Sequence, residues 1–271
     1  MNLYIVEGLR EIVYELFFSK LKAKSRIFRF LFRFQSIRKL MRLVHDKKHK
    51  VTKIDNDLFN KGYQIFQVNI PDQILEILFN QPFYEDGSNK KFNSLGEVLN
   101  YEGKRLHARY TVLNPHKSNI EILSFAYENP AYKVIQSYLG KNVKVQYSVC
   151  WVSMPNVLKE DNFEFGFHMD ISSRKWVNLF IYLNDVDESN GPHSCISGTH
   201  EKRHWSSFLE RRLTYSRAIK KYKEENIKIF TGKKGTAILE DTGNYHRAMP
   251  INGNHRVMLQ FTYSNYEELH G

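Results

Sequence analysis

Apolar and polar positions alternate with period two through much of the second half of the chain, the spacing of strands with one buried face. Over residues 176–183, Val177, Leu179, Ile181 and Leu183 fall on one side and Trp176, Asn178, Phe180 and Tyr182 on the other. The aliphatic side suits packing under helices. The mixed side is then left to face a site, with Asn178 as a candidate polar contact. Residues 256–263 divide in the same way, and Arg256, Met258, Gln260 and Thr262 share the face expected to line a barrel interior. Residues 143–152, dominated by Val, Tyr, Cys and Trp, read as a buried strand. Asn252-Gly253 favours a tight antiparallel reversal, which predicts a hairpin returning Arg256 alongside His246. In the first half, residues 74–79 carry apolar side chains at helical intervals, and residues 86–94, rich in Gly, Ser, Asn and Lys, read as a loop. The pattern predicts a mainly β fold with flanking helices.

Charge divides the chain further. The net +11 sits almost wholly in residues 20–50, which hold twelve Lys or Arg against one Asp. There Lys22, Arg26, Arg29 and Arg33 recur at helical spacing beside Ile27, Phe28, Phe30, Leu31, Phe32 and Phe34. Residues 1–50 therefore read as a basic amphipathic arm. It either packs its apolar side on the rest of the protein or lies peripherally on an anionic membrane surface. Residues 51–271 form the expected main domain, with a basic helical insertion at 201–234. That insertion holds eleven Lys or Arg against three acids after Glu201, a solvated face or a surface attracting anionic groups. No helix-turn-helix or RNA-binding motif accompanies the charge, so nucleic acid is not an expected partner. Two cysteines without Cys-x-x-Cys spacing point away from a disulfide framework or zinc ribbon. Glu7, Arg10 and Glu11 interrupt any signal-peptide core, and a cytoplasmic location is expected.

The chemistry concentrates at His168-Met169-Asp170. Side chains at i and i+2 of a strand leave the same face, so His168 and Asp170 can address one centre, and His246 can join them from another strand. Two imidazoles and a carboxylate form the facial triad of non-heme Fe(II) sites, with coordination positions left open. Arg256, ten positions past His246, has the planar fork that clamps a carboxylate. His200 and His204 are four apart but lack the His-Glu-x-x-His pattern. Next to Gly198-Thr199, His200 reads as a structural hydrogen bonder rather than a zinc ligand.

These residues resemble the phytanoyl-CoA dioxygenase-like family of Fe(II)/2-oxoglutarate oxygenases. The resemblance spans about residues 55–265 and rests on motifs in family order. They are Asn60-Lys61-Gly62-Tyr63, Phe167-His168-Met169-Asp170, the run from Leu183 to Gly191-Pro192, Ser197-Gly198-Thr199-His200, and Gly235 to Thr242 leading to His246 and Arg256. The family more often has Pro-Gly-Ser-His where this chain has Ser-Gly-Thr-His. The resemblance implies a double-stranded β-helix, or jelly roll, and a dioxygenase in which His168, Asp170 and His246 hold Fe(II). It further implies that 2-oxoglutarate is anchored by Arg256, with Gln260 and Asn178 nearby, and that O2 oxidises a C–H bond of a small-molecule substrate. Because Asp170 is present where halogenases of the superfamily have a small residue, hydroxylation or a related oxidation is expected. The competing expectation is a non-catalytic jelly-roll binding protein whose arm contacts membrane or nucleic acid. An iron oxygenase that does not use 2-oxoglutarate is disfavoured by Arg256.

Overall fold

The structure is a computed structural model that describes residues 57–86, 88–103, 109–155, 166–170, 175–200 and 212–265. The basic arm and residues 201–211 of the expected insertion lie outside the described residues. The strands in chain order are β1 (Tyr63–Gln67), β2 (Phe83–Glu85), β3 (Lys91–Phe92), β4 (Arg109–Leu113), β5 (Lys144–Ser153), β6 (Phe167–His168) and β7 (Trp176–Tyr182). They continue with β8 (His193–Ile196), β9 (Arg212–Leu213), β10 (Ile227–Phe230), β11 (Thr236–Glu240), β12 (His246–Ala248) and β13 (Arg256–Ser264). Among the described residues the α-helices are α1 (Asp57–Lys61), α2 (Asp72–Phe79), α3 (Leu95–Leu99), α4 (Ile120–Glu128), α5 (Ala131–Leu139) and α6 (Tyr215–Tyr222). Among the described residues, none is long and apolar enough to cross a membrane.

The strands form two antiparallel sheets, one of order β1-β11-β7-β13-β5-β4-β2-β3 and one of order β10-β8-β12-β6-β9. This is the expected jelly roll, in which sequence neighbours repeatedly change sheets. The parity of the strands decides the layers. Val177, Leu179, Ile181 and Leu183 of the β7 region join Val257, Leu259 and Phe261 of β13 in a core shared with Ile74 and Leu78 of α2 and Ile135 and Leu139 of α5. On the opposite face, Phe180, Tyr182, Ile238, Met258, Trp151 and Val149 meet Cys195 and Phe230 of the smaller sheet and fill the space between the sheets. The helical layer is held at its corner by Asn129. Its amide donates to the carbonyls of Phe125 and Ala126 at the end of α4, and its oxygen accepts from the Ala131 amide at the start of α5.

Three expectations change. The Asn-Gly turn does not close a hairpin, because β12 pairs with β6 and β8 while β13 pairs with β5 and β7. The turn instead carries the chain from one sheet to the other. Asn252 and Gly253 give their amides to the Ser189 carbonyl, and Ile251 bridges Asn190, so the turn is fastened to the 187–191 loop. The 201–234 stretch is only partly helical. Beyond α6, residues 227–230 pair with β8 as a working strand of the smaller sheet, and Arg212 pairs with His168. Within the expected 86–94 loop, Lys91 and Phe92 pair with β2, burying Phe92.

Candidate functional site

Phe167 and Met169 enter a small apolar cluster with Ile196, Leu213 and Tyr245. Alternation therefore turns His168 and Asp170 the other way, even though ladder pairing stops at His168. Asp170 is held instead by its amide, which donates to the Thr242 carbonyl at 2.9 Å. His246 lies directly across from His168 in the β12–β6 ladder. The result is a cluster in which one ligand atom from each of His168, Asp170 and His246 lies within 4.8 Å of the others. His246 Nε2 is 3.8 Å from Asp170 Oδ2, and the two imidazole centroids are 4.3 Å apart.

Hydrogen bonding and burial orient the two histidines. His246 Nδ1–H donates to the Asn244 carbonyl at 3.1 Å, which fixes the ring with Nε2 toward Asp170. His168 Nδ1 is buried, with no well-formed hydrogen bond among the described residues. Burial, then the neighbouring His246 ring, pushes the His168 pKa down to about 3. Two imidazoles and a carboxylate this close are a donor set that could hold a metal ion. The Asp170 side chain is 37% exposed, against 7% for His246.

Arg256 stands on the inner face of β13 and is only 2% exposed. One guanidinium nitrogen donates to the Gly191 carbonyl, while Nε has no partner among the described residues. Among the described residues no carboxylate pairs with it, and burial lowers its pKa. Gly191 has φ +67, and a Cβ there would meet the Met249 carbonyl at 2.6 Å, so only glycine brings this carbonyl to the arginine. Gln260 and Asn178 share that inner face. Gln260 donates to Thr262 Oγ1, which donates to Asn178 Oδ1, and the Asn178 amide donates to Thr242 Oγ1. Trp176 Nε1 also donates to Thr242 Oγ1, so this network supports the strand end beside Asp170. Gln260 stands four residues, about 13 Å of strand, from Arg256.

Two further groups escaped the sequence reading. Glu240 is fully buried on the inner face of β11, its Oε2 2.6 Å from His193 Nε2. Burial pushes the Glu240 carboxyl up to about 8 and His193 well below the usual imidazole range, so the pair is an acid donating to a neutral imidazole. The signal was parity: Ile238 and Glu240 alternate inward, as do His193 and Cys195. His200 behaves as expected. Its amide donates to Asn244 Oδ1 and its ring reaches the Phe59 carbonyl. Gly62, with φ +78, passes so close that a Cβ would lie 2.5 Å from His200 Nδ1.

No protein-family model matches the sequence. No curated protein matches it either. Among solved structures, the chain is similar to the non-heme alpha ketoglutarate dependent epimerase SnoN from nogalamycin biosynthesis, with a TM-score of 0.53 and 11% identity over 79% of this chain and 82% of that one. SnoN in complex with Fe3+, alpha ketoglutarate and nogalamycin RO gives 0.51 and 12% over 79% and 83%. HygX from Streptomyces hygroscopicus with nickel and 2-oxoglutarate bound gives 0.50 and 10% over 79% and 89%. At these identities the likeness is one of fold, and it establishes the jelly roll.

Proposed function

We propose that the protein is an Fe(II)- and 2-oxoglutarate-dependent dioxygenase, of the phytanoyl-CoA dioxygenase-like kind, that oxidises a C–H bond of a small-molecule substrate, with hydroxylation the expected outcome. The observation that carries this is the coexistence, in one barrel, of the His168/Asp170/His246 cluster and a buried Arg256 without a carboxylate partner among the described residues. His168, Asp170 and His246 would hold the iron. Bound iron supplies activation of O2, coupled to conversion of 2-oxoglutarate to succinate and carbon dioxide. That structures of SnoN and HygX, which share the fold, hold alpha ketoglutarate or 2-oxoglutarate supports the choice of co-substrate.

This chain's residues do the rest. Arg256, bonded to the Gly191 carbonyl, would receive the distal carboxylate of 2-oxoglutarate, where burial makes a charge-assisted bond strong. Asn178 and Gln260 are assigned to the wall beside the co-substrate. Phe180, Tyr182, Trp151 and Met258 exclude water from it. Asp170, the exposed member, faces the side from which substrate enters.

The experiment is an anaerobic titration with Fe(II) and then 2-oxoglutarate, following the visible metal-to-ligand charge-transfer band. The band should require both additions in wild type and be absent in His168→Ala. Folded, reduced wild-type protein that shows no band would refute the assignment.

A further inference from the structure

We propose that His193, held by Glu240, is a second contact for the co-substrate, its Nδ1–H donating to an oxygen of 2-oxoglutarate between the metal cluster and Arg256. This rests on the function proposed above. The position follows from β8 and its neighbours. The Gly191 carbonyl that receives Arg256 is two residues before His193, and Cys195, two residues after it, lies directly across from His246. The two ends expected to grip a short diacid therefore flank His193 along one strand. Its ring centroid is 5.7 Å from that of His246.

The ring is also fixed. Its amide donates to Tyr182 Oη at 2.8 Å, and Tyr182 in turn donates to the Phe230 carbonyl at 2.7 Å. The Phe180 ring lies 4.6 Å away on one side, and the Phe230 ring stacks at 6.0 Å and 17°. Glu240 occupies Nε2, and Nδ1 takes no partner among the described residues. The oxygens of 2-oxoglutarate only accept, so this contact needs the ring proton on Nδ1, with the proton between Glu240 Oε2 and Nε2 shared by that pair. A purely apolar filler for this gap would need neither the acid nor the imidazole. Burying both is costly unless the ring's second nitrogen also finds a partner.

The test compares His193→Asn with His193→Phe in the anaerobic Fe(II) titration, reading the dissociation constant for 2-oxoglutarate. Asparagine places an amide N–H near the position of Nδ1, whereas phenylalanine keeps the ring packing and loses the donor. The Phe variant should weaken 2-oxoglutarate binding roughly tenfold to a hundredfold, the loss of one hydrogen bond to a charged group, with Fe(II) affinity kept. The Asn variant should bind more tightly than the Phe variant. A packing role predicts the reverse order, and any result in which Asn binds no tighter than Phe overturns the proposal. Glu240→Gln, whose amide can still donate to Nε2, should bind more tightly than Glu240→Leu. Failure of wild-type protein itself to bind 2-oxoglutarate would instead sink the proposed function, and this contact with it.

Discussion

Replacing Arg256 with methionine should move stability and co-substrate binding in opposite directions. In the metal-free protein this guanidinium is buried, bonded to one carbonyl, orphaned at Nε and without a carboxylate partner among the described residues. Desolvating such a cation costs several kcal/mol, while its hydrogen bond to Gly191 returns about 1–3 kcal/mol. Methionine has similar length and packs among Met258, Tyr182 and Trp151 without the charge. The metal-free variant should therefore be more stable by about 1–2 kcal/mol, allowing for the Gly191 carbonyl left unbonded. With Fe(II) present, the distal carboxylate of 2-oxoglutarate would enter the same pocket unpaired, a cost of about 3–5 kcal/mol, or at least a hundredfold in affinity. Urea unfolding in a chelator gives the first quantity, and the anaerobic titration gives the second. A variant that is less stable and binds 2-oxoglutarate as wild type does would refute the placement of Arg256 as a waiting anion site.

Asp170→Ala should abolish turnover and lower Fe(II) affinity by an order of magnitude or more while leaving the fold intact, since the held group is the Asp170 amide; metal titration and circular dichroism check the two halves. Gly191→Ala should destabilise the protein by about 2 kcal/mol or more, through φ +67 and the clash with the Met249 carbonyl, and also raise the 2-oxoglutarate requirement by displacing the carbonyl that holds Arg256. Unchanged denaturant midpoints would contradict the strain. His168 should cost the metal-free protein stability as pH falls from about 6.5 toward 3, because the unfolded chain takes up a proton there that the folded site, with its pKa near 3, refuses. His116, lowered by burial, acts in the same direction, whereas Glu240, raised to about 8, gains stability over the upper part of that range. The His168 share approaches about 1.4 kcal/mol per pH unit and is read as the difference in pH slope between wild type and His168→Gln; equal slopes would rule it out.

Legibility was highest where one short stretch carried its own geometry. The face division at 176–183 appears unchanged in the two cores, and the His-x-Asp pair shares a face because alternation is a property of extended backbone. Helix α2 was visible from its apolar spacing, short by two residues at its start. The helical reading of 201–234 fails at residues 227–230, where pairing with β8 leaves Ile229 exposed and buries Phe230.

By itself, then, the sequence determined which side chains share a face and which donor types can meet a metal, since each depends on covalent geometry over a few residues. The tertiary structure decided which sheet each strand joins, that the Asn-Gly turn crosses between sheets, and that Glu240 meets His193 from 47 residues away. Those outcomes depend on competition among distant partners for burial and hydrogen bonds. A local pattern such as Ala-Ile-Leu-Glu-Asp reads the same whether its glutamate ends in water or against a buried imidazole.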